Sequence, residues 1–334
     1  MRIIVFDVPA ENGGALTILK QYYETAINDS NNEWIFVVSK VILERHKNIQ
    51  IISFPWVKKS WIHRLYFDLF IANKLVKSLK ADEILSLQNV IIPNSDIKQT
   101  LYLHQPLPFV EKRFGFFENT KFWIYQNIIN KAIYHSIRKA DLVIVQTQWM
   151  LDAASKKTNT HKDKFVLQKP VIQVNSLKKY QVSNSVSFFY PASAISYKNH
   201  KVIMDACNLI KEKHKYVVYL TLSGEENKTI KKIKKTAEKM NLPILFIGKL
   251  DINHVYEYYC KSILLFPSYI ETLGLPLLEA QVFNTPIIAA NTSFAKEILE
   301  LYDKKDFFDP DDSDLLSRLM LNYIRKGTNN DFDN

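Results

Sequence analysis

Cysteine and glycine are scarce in this chain, and each scarcity excludes something. Only two cysteines, Cys207 and Cys260, stand among 334 residues, in unrelated contexts. With no CxxC pair and no Cys/His spacing suited to zinc, neither a disulfide scaffold nor a zinc module is encoded, and a reducing cytoplasm fits best. The 7 glycines form no low-complexity tract, and 47% of the residues are hydrophobic, so the chain is built to bury large cores. No apolar run approaches the roughly 20 residues of a spanning helix. The opening "MRIIVFDVPAENGG" meets Asp7 too early for a secretory leader. The expectation is a cytoplasmic protein that is not integral to a membrane and at most lies on the inner face of one.

What is present is basic: 44 Lys+Arg against 34 Asp+Glu, a formal +10. An excess of positive charge favours anionic partners, whether nucleic acid, nucleotide phosphate or lipid headgroup. The charges are scattered through helical stretches with no nucleic-acid-binding module, so nucleic acid is set aside. One concentration is "WVKKSWIHRLYFDLFIANKLVKSLK", Trp56 to Lys80, where aromatics and aliphatics interleave with Lys and Arg at helical spacing. That composition suits a helix lying on an anionic bilayer, and equally an ordinary layer helix with a basic outer face.

Short apolar runs alternate with amphipathic stretches from end to end, the pattern of parallel sheets flanked by helices. At this length two domains are expected. The first carries strands at "RIIVFDV", "WIFVVS", "NIQIISF", "EILSL", "TLYLH" and "DLVIVQT", with a basic helix over residues 61 to 79 and an aromatic helical stretch from Asn119 to Arg138. Periodicity lapses near residues 169 to 185, which places a linker there and divides the chain into residues 1–170 and 171–334. The second domain carries "VSFFYP", "YVVYLTLSG", "PILFIGKL", "SILLFP" and "PIIAAN". The fold class is therefore α/β: two doubly wound, Rossmann-like domains facing a central cleft, with ligands expected outside the carboxyl ends of the strands.

Two turns hold chemistry in that frame. Gly13 and Gly14 open the first helix after the first strand, where free N–H groups and the lack of side chains suit close approach of an anion. Leu16 and Thr17 follow where a GxGxxG fingerprint needs other spacing, which disfavours a dinucleotide redox site. The second turn lies in "SYIETLGLPLLEA", Ser268 to Ala280. Pro276 suits the first helical position, so Leu273, Gly274 and Leu275 form a turn whose amides and helix N-terminus present positive charge to a diphosphate. Glu271 and Glu279 flank that turn. Carboxylates repel an anion, so they should grip hydroxyl donors on either side of it, as a nucleotide sugar supplies.

The string Glu–x–x–Gly–Leu–Pro–x–x–Glu–Ala, followed by "TPIIAAN", strongly resembles the C-terminal signature of family 4 of the retaining glycosyltransferases, which have the GT-B architecture. The resemblance extends over most of the chain, its motifs in order. It implies a nucleotide-sugar donor, with a UDP-sugar favoured, and transfer with retention. It assigns Glu271 and the neighbouring Thr272 to the donor sugar, Glu279 to the ribose, and Lys198 in "YPASAISYKNH" to the diphosphate. Ser193 stands where an arginine is usual, so neutralisation leans on Lys198, the helix N-terminus and the Gly13/Gly14 amides. His104, in "TLYLHQPLPF", is implied to help hold the reacting centre, and Gly248 to Leu250 to cradle the base. Lys198, Glu271 and His104 are the expected catalytic residues.

No DxD triplet suggests a divalent cation site. "DPDD", Asp309 to Asp312, reads as a loop and helix start away from the cleft, so no metal and no cofactor are expected. A basic, aromatic N-terminal domain suits a lipid-linked or oligosaccharide acceptor in bacterial capsule, O-antigen or exopolysaccharide synthesis, worked on at the anionic inner leaflet. A sugar-nucleotide epimerase of the same architecture and an inactive sugar-nucleotide-binding subunit are the alternatives.

Overall fold

The computed structural model describes residues 1–11, 13–169, 178–181, 185–210 and 215–329. The chain divides into two compact units, Met1–Pro170 and Val171–Asn334. Most of the linker expected near residues 169 to 185 lies outside the described residues.

In the N-terminal unit, strands β1 (Arg2–Phe6), β2 (Glu33–Val38), β3 (Ile49–Ser53), β4 (Glu83–Ser86), β5 (Lys98–Leu103), β6 (Leu142–Val145) and β7 (Phe165–Leu167) form one parallel sheet, in the order β3-β2-β1-β4-β5-β6-β7. Near-continuous burial along β2 and β6 marks strands covered on both faces. Alternation divides the core: Val5 packs with Ile18 and Leu19 of helix α1 (Gly13–Ile27), whereas Ile4 and Phe6 pack on the other face against Val57, Phe67 and Val76.

The second unit repeats the scheme with β8 (Val186–Tyr190), β9 (Tyr216–Leu220), β10 (Ile244–Phe246), β11 (Ile263–Phe266), β12 (Ile287–Ala290) and β13 (Lys305–Phe308), ordered β10-β9-β8-β11-β12-β13 and parallel throughout. The two Rossmann-like α/β units expected from the sequence are thus observed. In each sheet the winding reverses once, between β1 and β4 and between β8 and β11. At such a switch point the loops from adjacent strands leave in opposite directions and open a crevice at their carboxyl ends.

Four details differ from the sequence reading. Edge strands β7 and β13 were missed, because their mixed, partly exposed residues show neither a buried run nor clean alternation. The helix expected over 61 to 79 is a rod in three parts: α2 (Trp61–Tyr66), a π-turn at Phe67–Ile71, and α3 (Ala72–Ser78). The aromatic stretch likewise runs as α4 (Thr120–Ile124), a π-turn at Tyr125–Ile129, and α5 (Asn130–Lys139). The strand expected to reach Gly248 stops at Phe246.

Candidate functional site

Lys198 comes from the loop after β8 and Glu271 from the loop after β11, the two strands of the C-terminal switch point. That topology brings them together although they lie 73 residues apart: Lys198 Nζ and Glu271 Oε1 form an ion pair, each side chain 15% exposed. The sequence placed these two on opposite parts of one ligand; the structure pairs them directly. Beneath them lies Tyr190, the last residue of β8, with no exposed surface. Its hydroxyl donates to the Lys198 carbonyl at 2.9 Å and lies 2.8 Å from Ser268 Oγ. A phenol carries one proton, so the Ser268 hydroxyl donates to it in turn. The Tyr269 N–H donates to the Tyr197 carbonyl at 2.9 Å, fastening the two loops a second time.

The "DPDD" loop is not remote, which corrects the sequence reading. It follows β13, whose carboxyl end lies on the same edge of the sheet; Asn199 Nδ2 donates to the Pro310 carbonyl at 2.7 Å and Tyr269 Oη to Asp311. It buttresses the Lys198 and Ser268 segments from behind. Among the described residues, no three His, Cys, Asp or Glu side chains gather as metal ligands.

Helix α10 (Leu275–Val282) starts at Gly274, which adopts φ +74°, and no side chain caps it. A Cβ there would meet Leu277 Cδ1 at 3.3 Å. The turn Thr272–Leu275, with Leu273 buried, thus delivers an uncapped helix N-terminus beside Glu271. Glu279, partly buried one turn further on, accepts a 2.9 Å hydrogen bond from the hydroxyl of fully buried Tyr259. Burial pushes the Glu279 carboxyl above its ordinary range, and the Tyr259 hydrogen bond pulls it back. Ser193 is exposed in the loop after β8; Gly248, at φ +75°, and half-buried Leu250 follow edge strand β10, on the same edge of the sheet but two strands from β8.

The N-terminal switch point carries a second group. Gly13, at φ +61°, and Gly14 open α1 with free space where a Cβ would stand. His104, half-buried, is the first residue past β5; its backbone N–H donates to Asn89 Oδ1 at 2.7 Å, and its Nδ1 is buried with no partner among the described residues. Burial pushes the ring down to about 4, so it is neutral at physiological pH.

Three residues that the sequence did not single out complete this row. Asp7, Ser39 and Gln88 follow β1, β2 and β4, are 0%, 1% and 5% exposed, and hold side-chain oxygens or nitrogens with no hydrogen-bond partner among the described residues. Burial raises the Asp7 carboxyl well above its usual range, opposed by the Arg64 and Lys58 charges. The available signal was an acidic residue closing an otherwise apolar strand. Buried polar groups are nearly always satisfied, so four unsatisfied ones past four neighbouring strands, β2-β1-β4-β5, mark a polar binding edge.

In the basic helix some of the cations are paired within the unit. Arg64 is spent on Asp68 at 2.6 Å, and Lys58 on the Pro9 carbonyl at 2.9 Å and Glu11 at 3.5 Å. Beside exposed Lys59, Lys74, Lys77 and Lys80, the segment exposes the apolar side chains of Trp61, Ile62, Leu65, Tyr66, Leu69 and Phe70, each 43 to 78% exposed. Trp61 stacks edge-on with Tyr125 at 6.1 Å, which carries the patch onto the aromatic segment where Phe117 is 99% exposed.

Residues 175–332 match the family model described as Glycosyl transferases group 1. No curated protein matches the sequence. Among solved structures, the glycosyltransferase WaaG, involved in lipopolysaccharide biosynthesis, superposes with a TM-score of 0.73 at 13% identity, covering 100% of this chain and 96% of that one. Sucrose-phosphate synthase from Thermosynechococcus elongatus gives 0.71 at 15%, covering 98% and 92%. Anabaena Alr3699/HepE, in complex with UDP and glucose, gives 0.70 at 15%, covering 99% and 93%. These likenesses establish the GT-B fold. The matched residues 175–332 form a glycosyltransferase group 1 domain.

Proposed function

We propose that this glycosyltransferase moves a sugar, with retention, from a nucleotide-sugar donor held by the C-terminal unit to a lipid-linked glycan acceptor held by the N-terminal unit. The observation that carries the donor half is the Lys198–Glu271 pair beside an uncapped helix N-terminus. As the glycosidic bond loosens, charge builds on the leaving diphosphate, and fixed cationic groups already aimed at it lower the barrier. Lys198 and the amides of residues 273 to 275 supply that charge without a resident metal or cofactor. Glu271, released when the diphosphate takes Lys198, accepts hydroxyls of the donor sugar, and Glu279 those of the ribose. Ser193, where an arginine is usual, stands on the diphosphate side, and the Gly248–Leu250 turn flanks the base. A UDP-sugar is the favoured donor; one structural neighbour, Anabaena Alr3699/HepE, has been solved in complex with UDP-glucose.

The acceptor half rests on the N-terminal row of Asp7, Ser39, Gln88 and His104. Unpaired polar groups of this kind suit the hydroxyls of a saccharide. The Gly13/Gly14 turn lies at the same edge, with free amides that suit an anion. The apolar face from Trp61 to Phe70 suits insertion into the interfacial zone of an anionic inner-leaflet bilayer, where aromatic side chains are at home and exposed Lys59 meets headgroups. Assembly of a bacterial surface polysaccharide fits such an enzyme.

A thermal-shift screen against UDP-, GDP- and dTDP-sugars tests the donor, since a ligand at 100 times its dissociation constant stabilises by about 2.7 kcal/mol. Turnover of the stabilising donor with membrane extract, with the anomeric configuration of the product determined, tests transfer; hydrolysis alone or inversion would overturn it. In flotation with anionic vesicles, Ile62→Ser with Phe70→Ser should release the protein. Retention of full binding would sink the membrane contact.

A further inference from the structure

Glu279 is gripped before any ligand arrives. Tyr259 closes helix α9 (Ile252–Tyr259), and its ring is wedged against Phe283 and Phe189, both at 5.9 Å between centroids. Its carbonyl accepts a 2.6 Å hydrogen bond from Thr285 Oγ1, which ties α9 to the turn after α10. Held by ring and backbone, the phenol has one place to put its hydroxyl, and that place is Glu279 Oε2. A rotamer-rich carboxylate thereby loses its freedom during folding rather than during binding, which is where preorganisation improves affinity.

We propose that Tyr259 is a positioning residue that fixes Glu279 and keeps it charged, so that the site demands a donor with both ribose hydroxyls. The inference rests on the reading of Glu279 as the ribose acceptor. With Oε2 occupied by the phenol, the carboxylate is oriented for hydroxyl donors, and it accepts from them most strongly when ionised. The titratable groups set against Glu279 are the two phenols of α9, Tyr256 and Tyr259. Tyr259 donates; Tyr256 only feels the Glu279 charge. Burial opposes ionisation of Glu279, and the Tyr259 hydrogen bond offsets part of that. Without the hydroxyl the carboxyl titrates higher, and donor binding fails at a higher pH.

The test is titration of UDP and of dUDP into the full-length protein, as wild type, Tyr259→Phe, Glu279→Gln and the double variant, between pH 5 and 8. Tyr259→Phe should weaken UDP roughly tenfold, the scale of a hydrogen bond to a charged group. It should also move the acid limb of binding to higher pH and narrow the preference for UDP over dUDP. In the Glu279→Gln background it should add little. A loss equal at every pH and for both nucleotides, or one that adds fully to Glu279→Gln, makes Tyr259 a packing residue and overturns the proposal. If Glu279→Gln itself leaves UDP binding unchanged, the ribose reading fails instead. If Tyr259→Phe does not fold, replacing tyrosine by 3-fluorotyrosine keeps the ring and makes the phenol a stronger donor; the acid limb should then move to lower pH, and an unmoved limb overturns the proposal.

Discussion

Lys198 and Glu271 neutralise one another at the carboxyl edge of the second sheet, brought there by two strands that neighbour in space and lie far apart in sequence. The pair is mostly buried, so each charge needs the other while the site is empty. Lys198→Met should therefore lower stability by roughly 2 kcal/mol, discounted from a fully buried pair for its partial exposure. Adding Glu271→Met should recover most of that loss in denaturant titrations without restoring turnover. Recovery of turnover would show that the pair is structural.

Gly274 occupies the left-handed region at the mouth of α10, where a side chain is strained and would press on Leu277. Gly274→Ala should cost about 1 to 2 kcal/mol by thermal unfolding. It should also weaken UDP binding, because the turn presenting the helix amides is displaced. Unchanged stability would mean that the turn relaxes freely.

Asp7 tests the acceptor edge through a trade between stability and function. Its folded-state carboxyl titrates above the unfolded one, so the native state holds the extra proton and loses stability as pH rises above the ordinary carboxylate range. Asp7→Asn should raise the melting temperature at pH 7, with a gain that fades toward pH 4. The same variant should reduce transfer to acceptor while leaving UDP binding intact. Unaltered transfer would remove Asp7 from the site.

His104 and His200 titrate the other way. Burial holds them down to about 4 and about 3, His200 further by the Lys198 charge and against that of Glu226. The unfolded chain takes up their protons first, so stability present above about pH 6.5 is lost as pH falls toward 4. Melting temperatures measured from pH 7.5 to 5 should decline, and His200→Gln should reduce the slope by roughly half, since two histidines share it. An unchanged slope would place the proton uptake elsewhere.

The architecture was legible because buried parallel strands such as "VSFFYP" and "SILLFP" announce themselves as apolar runs, and helix starts such as Asn227, which caps α8 (Lys228–Lys239), carry their caps in sequence. The donor-site residues were legible through a local string. Their pairing was not, since it depends on which strands lie side by side. Tyr259 was invisible for the same reason, since a tyrosine in a helix becomes informative only when its burial and hydrogen-bond partner are known; Asp7 carried a signal, an acid closing an apolar strand, that gains meaning only with burial. The "DPDD" loop was misplaced because β13, which delivers it to the site, has an edge strand's mixed composition.

The most direct test of the account is calorimetric titration of UDP into the wild type and into Lys198→Ala, Glu279→Ala and Asp7→Asn. The account predicts one saturable site, lost in the first two variants and retained in the third. Binding that survives Lys198→Ala and Glu279→Ala, or no binding of UDP, GDP or dTDP at all, would contradict it.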